Sequence, residues 1–295
     1  KYGDIPYQTI FSIAESPFQF GQIYVGTDDG RVWRTDDSGR NWHEIDRGLP
    51  YQKWVAELVA SRFDQGTVYM VQNGKRDDDF APYLWKSTDY GETWTSIVGN
   101  LPSGPVNVIK EDPVNPDVLY VGTDLGMYVS LNRGREWHAL PGGNLPTSFY
   151  HDLVIHPEED ILVAATHGRG VWALDVRPIQ ALTPEVMAEA LHLFAMEAVP
   201  APQGFRGPAR TLSIQYWVGD GGDEARIEIR NEDGSLVREI SGSGDRGLQS
   251  VIWDLSSGLP GAPGSRGRNR VGPGTYSVSV LMGGATSEGQ LQVTR

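Results

Sequence analysis

Short runs of apolar residues and of alternating apolar and polar residues dominate the first part of the chain. Ile23–Thr27, Val68–Val71 and Leu119–Thr123 are apolar runs, and each is followed closely by an alternating run such as Val32–Arg34. Alternation with a period of two is typical of β-strands. Glycine and proline, which favour tight turns, account for 36 and 19 of the 295 residues. The pattern therefore predicts an all-β region of short strands joined by turns.

Three octets share the pattern Ser/Thr-x-Asp/Asn-x-Gly-x-x-Trp. The acidic or amide residue at the third position can accept hydrogen bonds from turn amides, and the glycine at the fifth position supplies a positive φ. The tryptophan at the eighth position is predicted to fold back and cover its own hairpin. We interpret the octets as structural turns without chemistry of their own. Their residues are Asp37, Gly39 and Trp42, then Asp89, Gly91 and Trp94, then Asn132, Gly134 and Trp137.

Each octet lies inside a unit of about four short strands, a design typical of β-propeller blades. A fourth unit keeps the apolar run 161–172 but loses the octet, because Arg177 stands where the glycine would be. The sequence thus predicts about four blades over residues 1–180, with the outer strand of the last blade supplied by another part of the chain. Because most propellers have more blades, we expect these four to belong to a larger propeller.

The octets resemble the Asp-box, or bacterial neuraminidase repeat, of sialidases, sortilin-type receptors and xyloglucanase-like propellers. Residues 54–64, 78–84, 150–157 and 166–172 further resemble large secreted bacterial proteins with sortilin-like propellers, which are often labelled glycosyl hydrolases. This resemblance implies further blades upstream, so the expected partner is the N-terminal part of the same propeller. It also implies a secreted, periplasmic or cell-surface location and a peptide, protein or glycan ligand.

A different pattern begins after residue 180. Thr183 and Pro184 predict the N-cap and first position of a helix, which runs to about Val199 with one apolar face. Proline and glycine then break the pattern. We therefore predict a helix and linker over residues 181–205.

Period-two runs return in the last part of the chain. They predict an antiparallel β-sandwich over residues 206–295, with Trp253 and Tyr276 in its core. The order of these runs resembles the Ig-like module of flagellar hook-cap proteins. Modules of this kind end many exported bacterial proteins, so the module is expected to act as a spacer or an export signal.

The charge balance excludes several classes of partner and chemistry. The chain has 25 Lys and Arg against 38 Asp and Glu, which gives a net charge of −13. Nucleic acids and anionic membrane surfaces are therefore poor partners. No apolar run is long enough to span a membrane. The absence of cysteine excludes thiol catalysis, thiolate metal sites and disulfides.

The densest acidic run is Asp77, Asp78 and Asp79, between two strands of the second predicted blade. Adjacent carboxylates suit a hard cation, so one interpretation is a Ca²⁺ site or an acidic loop that faces a ligand. The alternative is a solvated connection in which one Asp caps a turn. Calcium at this position is the only cofactor that the pattern suggests.

Histidines cluster in the fourth predicted blade. His151 and His167, together with Asp152, are candidates for a metal or ligand site, and Arg169 follows in the same turn as His167. The alternative is that His151 and Asp152 bond neighbouring strands. No catalytic residue is predicted, because the arginines are scattered over different blades and no serine-elbow or phosphate-loop motif occurs.

Three functions remain open on these grounds. The first is an extracellular or cell-surface binding or scaffold protein that uses its blades for ligand or protein interaction. The second is a glycoside hydrolase, xyloglucanase-like or sialidase-like, whose main catalytic residues lie upstream. The third is a structural component of a surface assembly.

Overall fold

A computed structural model describes residues 8–140, 145–202, 211–258 and 269–295. The chain divides into two units, Lys1–Gln180 and Ala181–Arg295. In the described part of the chain, no helix has the length and apolar character needed to cross a membrane. Residues 203–205 of the predicted linker lie outside the described residues.

The described residues of the first unit form four antiparallel sheets, in each of which the strands pair in chain order. Blade 1 comprises β1 (Ile10–Glu15), β2 (Ile23–Thr27), β3 (Val32–Thr35) and β4 (His43–Glu44). Blade 2 comprises β5 (Trp54–Ala60), β6 (Val68–Asn73), β7 (Tyr83–Ser87) and β8 (Thr95–Ser96). Blade 3 comprises β9 (Val106–Glu111), β10 (Leu119–Thr123), β11 (Met127–Ser130) and β12 (His138–Ala139). Blade 4 comprises β13 (Tyr150–His156), β14 (Ile161–Thr166) and β15 (Val171–Asp175).

The blades pack face to face along their first strands. Strand β1 contacts β5, β5 contacts β9, and β9 contacts β13. Apolar side chains of adjacent blades fill the interfaces, for example Tyr24 with Leu58 and Met70 between blades 1 and 2. Four-stranded meanders packed in this way are the blades of a β-propeller, which confirms the predicted all-β propeller fold. Among the described residues no comparable contact joins β13 back to β1, so the blades form an open arc.

The octets form the turns between the third and fourth strands of blades 1 to 3. In the second octet the Ser87 hydroxyl accepts a hydrogen bond from Gly91 N at 2.8 Å, and Asp89 Oδ1 accepts one from Thr93 N at 2.9 Å. The glycine has a φ of 90°. The turn chemistry is thus as predicted from the residue types.

The tryptophans of the octets do not all cover their own hairpins. Trp94 Nε1 donates to the carbonyl of Ile45 in blade 1 at 2.7 Å, and Trp137 Nε1 donates to the carbonyl of Ile97 in blade 2 at 2.8 Å. The prediction of a local cover was therefore wrong for these two. The indole bridges to the preceding blade because the carbonyl after that blade's outer strand lies within reach of its N–H group.

Blade 4 contains three strands among the described residues, and no other segment supplies a fourth. The carboxylate of Asp175 accepts hydrogen bonds from Arg177 N at 3.1 Å and Arg177 Nε at 2.8 Å. These bonds turn the chain into the short helix α1 (Arg177–Gln180). The expected outer strand from elsewhere in the chain is therefore not present among the described residues, and the chain itself leaves the blade at Arg177, the residue that stands where the octet glycine would be.

The second unit is built from two larger sheets that share one hydrophobic core. The first sheet has the order β16 (Leu191–Leu193), β18 (Leu212–Val218), β21 (Gly247–Trp253). The second has the order β17 (Val199–Pro200), β25 (Ala285–Thr294), β24 (Gly274–Met282), β19 (Ala225–Arg230), β20 (Leu236–Gly242). A small ribbon pairs β22 (Ser256–Ser257) with β23 (Asn269–Arg270). Trp253 and Tyr276 are buried in the core, and the Ig-like relationship stays a prediction.

The helix predicted from Thr183 to Val199 is mostly absent. Thr183 caps a single turn, α2 (Pro184–Met187), as its residue type indicates. The chain then forms β16, in which Leu191 and Leu193 are both buried and pair with β18. Residues two apart share one face of a strand, so these leucines fit the edge of the sandwich better than a helix would allow. Tertiary pairing thus overrides the local helical pattern.

Candidate ligand-binding surface

A β-bulge interrupts the first strand of every blade near its start. The register shifts leave one extra residue in each strand. Bulges re-aim side chains and are common beside functional sites. The four extra residues are Phe11, Ala56, Asn107 and His151. They lie at the same end of the arc as the loops between the second and third strands.

Aromatic and cationic side chains gather at this end. The Phe11 ring packs edge-on against the Trp54 ring, with 4.3 Å between centroids. The Arg76 guanidinium lies over the Trp54 ring, 4.3 Å from its centroid. We call this group the aromatic end surface, and its members are Phe11, Trp54, Lys75, Arg76, Phe149, His151 and His167.

Lys75 joins the second, third and fourth blades across this surface. Its Nζ lies 4.2 Å from the centroid of the Phe149 ring and 2.5 Å from Oδ2 of Asp124. Phe149 is exposed and stands beside both histidines, with centroid distances of 6.4 Å to His151 and 6.3 Å to His167. Lys75, two residues before the acidic run, therefore connects this loop of blade 2 with the ring that lies beside the histidines.

The two histidines of blade 4 lie together, but they do not form a group of metal ligands with Asp152 in the described residues. The His151 and His167 rings are in contact, 5.4 Å between centroids. Asp152 Oδ1 accepts a hydrogen bond from Leu153 N at 2.9 Å, and Arg169 is exposed in the adjoining turn. In the described ranges no three His, Asp or Glu residues converge on a position that could hold a metal ion. Of the predicted residues, the two histidines thus come together as a pair of rings, and the side chain of Asp152 is engaged by Leu153 N.

The three adjacent aspartates point to different partners. Asp79 receives hydrogen bonds from the Tyr83 hydroxyl at 2.7 Å and from Ala81 N at 3.0 Å, and its Oδ2 lies 2.7 Å from Lys53 Nζ. The hydrogen bond from Lys53 and these further donors lower the pKa of Asp79 to about 2. Asp77 ends a 3₁₀ turn, and Asp78 follows it with a φ of 56°. Asp79 therefore anchors the loop, which matches the capping interpretation better than a calcium site.

Glu57, on β5, is a further carboxyl group with a shifted pKa, and no motif in the sequence marks it. Its Oε2 accepts a hydrogen bond from Ile109 N at 3.0 Å, and its Oε1 pairs with the Lys110 ammonium. Burial raises the pKa of Glu57, the Lys110 charge opposes that rise, and the Asp152 charge adds to it. A single charged residue inside the apolar run Trp54–Ala60 was the signal that could have identified it.

A separate cavity of about 360 Å³ lies along the first strands of blades 2 to 4. Its lining includes Val59, Arg62, Lys110, Glu111 and Leu153. None of the residues predicted from the sequence as site candidates lines it. The aromatic end surface, which includes two of those residues, His151 and His167, is therefore the better candidate for a site.

The side chains at the aromatic end surface have the chemistry to contact a ligand. Exposed aromatic rings stack against apolar faces of ligands, and the neighbouring cations donate hydrogen bonds to hydroxyl or carboxylate oxygens. An acid–base pair for glycoside hydrolysis needs one carboxyl group that is protonated at working pH. Asp79, with a pKa of about 2, does not fit that role. The aromatic positions at the strand starts were missed in the sequence, because only the fold brings them together.

Comparison with known proteins gives distant matches. No protein-family model matches the chain. A curated xyloglucanase from Paenibacillus sp is 23% identical over 252 residues, which covers 74% of this chain and 23% of that protein. The chain thus spans less than a quarter of the length of this relative.

Solved structures show the same kind of similarity. The Niastella koreensis GH74 enzyme aligns with a TM-score of 0.46 and 15% identity, over 95% of this chain and 46% of that chain. The GH74 xyloglucanase from Xanthomonas campestris aligns with a TM-score of 0.45 and 13% identity, over 94% and 44%.

Proposed function

We propose that this chain contributes a glycan-binding surface to a β-propeller glycoside hydrolase of the xyloglucanase type. The observation that carries the proposal is the aromatic end surface, where Phe11, Trp54 and Phe149 are grouped at one end of the arc. The sequence similarity to a xyloglucanase supports this reading over a scaffold without enzymatic context. Polysaccharide substrates of this kind lie outside the cell, so the proposal includes a secreted or surface location.

The physical basis is the shape of a sugar ring. Its C–H faces are apolar and flat enough to stack on aromatic side chains, while its edge hydroxyls need hydrogen-bond partners. Phe149 is an exposed ring beside two imidazoles, and Lys75 and Arg76 lie next to the rings with N–H donors. A chain of linked sugars could therefore contact several rings in succession.

In this proposal the chain supplies binding, and the hydrolytic carboxyl pair belongs to another part of the protein. Asp79 is held as an anion by Lys53 and Tyr83, so both partners of its carboxylate belong to the protein itself. Glu57 is likewise engaged by Ile109 N and Lys110. Neither group is presented to the aromatic rings as a free acid.

The test is binding of xyloglucan oligosaccharides, measured by titration calorimetry. Phe149→Ala and Trp54→Ala should each weaken binding about tenfold, which corresponds to about 1.4 kcal/mol. Phe20→Ala is the matched control, because Phe20 is an exposed aromatic residue in the loop at the opposite end of blade 1. It should leave the affinity unchanged.

Absence of binding to these oligosaccharides would contradict the proposal. So would a loss of affinity that is equal in the Phe149→Ala and Phe20→Ala variants, since a site at the aromatic end surface cannot depend on Phe20. Binding of peptides at the same surface, with no affinity for glycans, would favour the protein-binding alternative.

A further inference from the structure

The cavity along the first strands of blades 2 to 4 is lined by equivalent positions of the three blades. It has a volume of about 360 Å³ and lies toward the ends of these strands, away from the bulges. The strand registers identify two equivalent positions per blade that line it. They are Val59 and Ala60 in blade 2, Lys110 and Glu111 in blade 3, and Val154 and Ile155 in blade 4. Because two of the three blades have apolar residues here, the blade fold does not require the charged pair of blade 3.

Arg62 is a second departure from the pattern of the blades. It follows Ala60 by two residues, and the residues at the same spacing in blades 3 and 4 are Pro113 and Pro157. All three line the cavity. Nη1 of Arg62 donates to the carbonyl of Pro113 at a long distance of 3.4 Å, and Arg62 forms no ion pair within the described ranges of the chain. The other N–H groups of its guanidinium are therefore open to a ligand.

The other charged side chains of the cavity already have partners. Glu111 Oε1 accepts a hydrogen bond from the Ser61 hydroxyl at 2.7 Å, and Glu111 Oε2 accepts one from Arg62 N at 2.8 Å. The Lys110 ammonium pairs with Glu57. The open hydrogen-bonding capacity of the charged side chains is thus that of a donor, at the Arg62 guanidinium. A ligand that fits this cavity must carry a strong acceptor.

Two carboxyl groups beside the cavity have shifted pKa values. Burial raises the pKa of Glu111, although hydrogen bonds from Arg62 N and Ser61 oppose the rise. Burial also raises the pKa of Glu57, the partner of Lys110. Burying a carboxylate costs free energy that an apolar side chain, as in blades 2 and 4, does not cost. Groups of this kind gather at functional sites, which supports a role for the cavity beyond the packing of the blades.

We propose that this cavity binds a small carboxylic acid with an apolar body. The ligand carboxylate accepts hydrogen bonds from the Arg62 guanidinium, whose planar fork matches it. The apolar body contacts Val59, Leu153 and Val154, which line the cavity from blades 2 and 4. The volume lies in the range of sites for small molecules. The inference uses none of the residues of the aromatic end surface and is independent of the proposed glycan binding.

The charge of the ligand follows from the neighbours of Arg62. One guanidinium is open, and the Glu111 carboxylate lies beside it in the same lining. A second negative charge on the ligand would be repelled by Glu111, so a monocarboxylate fits better than a phosphate ester. A cationic ligand would meet Arg62 without a free carboxylate to offset it.

The experiment is titration calorimetry of the protein with three probes that share one apolar body: 4-phenylbutyrate, 4-phenylbutanol and 4-phenylbutylamine. We expect the carboxylate to bind about tenfold more tightly than the alcohol, because it accepts hydrogen bonds from a charged donor. The amine should not bind measurably. Phenyl phosphate, which carries two negative charges, should bind more weakly than phenylbutyrate.

Two variants locate the site. Arg62→Met keeps the length of the side chain and removes its donors, so the carboxylate and the alcohol should then bind equally weakly. Val154→Glu places an acid in the apolar wall and should abolish binding of phenylbutyrate. Both residues are exposed, so both variants are expected to fold, which thermal unfolding checks. Arg47→Met is the matched control, because Arg47 is an exposed arginine after the outer strand of blade 1 and should leave the affinity unchanged.

Three outcomes would overturn the inference. The first is the absence of phenylbutyrate binding at millimolar concentrations. The second is equal binding of the carboxylate and the alcohol to the unmodified protein, since Arg62 would then contribute nothing. The third is an equal loss of affinity in Arg62→Met and Arg47→Met, which would show that the acid responds only to the net charge of the protein.

Discussion

Two carboxyl groups of blade 2 have pKa values shifted in opposite directions, and the local geometry explains both shifts. Asp79 is an anion surrounded by donors from Lys53, Tyr83 and Ala81, which lower its pKa to about 2. Glu57 lies on the first strand, where burial raises its pKa in spite of the neighbouring Lys110. The sequence could identify the acidic run, because its density is visible, but it could not say which aspartate holds the loop.

We predict that Asp79→Asn lowers the unfolding temperature near neutral pH and that this loss shrinks as the pH falls from about 4 to about 2. Because the folded-state pKa of Asp79 is below its ordinary value of 3.8, its stabilising effect is present above that value. The effect is lost as the pH falls through the folded-state value. Thermal unfolding of both proteins across this pH range measures it.

Asp78→Asn is the matched control for that prediction. Asp78 is the exposed neighbour of Asp79, and asparagine tolerates its left-handed φ of 56°. The control should show little change at any pH. A loss in Asp79→Asn that stays constant down to pH 2 would contradict the role assigned to its charge.

At the scale of one element, the octet is a turn whose conformation is set by hydrogen bonds within the turn. Its tryptophan, in contrast, bonds to a residue of the preceding blade. The hydrogen bonds of Ser87 and Asp89 to the turn amides follow from residue type and spacing, so the sequence predicts them well. The bond from Trp94 to Ile45 spans two blades and depends on their packing. Sequence alone could therefore not distinguish a hairpin cover from a bridge between blades.

We predict that Trp94→Phe destabilises the 295-residue chain by about 1 kcal/mol more than Trp42→Phe does. The difference is one partly buried hydrogen bond between blades, which Trp42 does not make. Guanidinium unfolding of both variants, followed at the transition of the first unit, measures it. Equal losses in the two variants would show that the indole bond to the preceding blade contributes nothing to stability.

Across the whole molecule, the sequence predicts the structure well where a motif repeats. It predicts the structure poorly where pairing with distant parts of the chain determines the local conformation. The octets and their flanking strands were enough to predict the blades. Residues 188–199 became strands and loops because β18 and β25 offered edges for pairing, which no local pattern in that segment reveals. The aromatic end surface escaped prediction for the same reason, since its rings come from separate blades.

The two units have separate hydrophobic cores, and this organisation leads to the last prediction. Trp253 is fully buried in the core of the second unit, where its Nε1 donates to the carbonyl of Ser256 at 2.9 Å. Trp253→Ala should therefore cost that unit about 3–5 kcal/mol. Leu58→Ala, at the interface of blades 1 and 2, should cost the first unit about 2–5 kcal/mol.

In differential scanning calorimetry we expect each variant to lower the temperature of a different unfolding transition, because each core supports only its own unit. If both substitutions shifted the same single transition, the two units would unfold together and the division at residues 180 and 181 would have no energetic meaning.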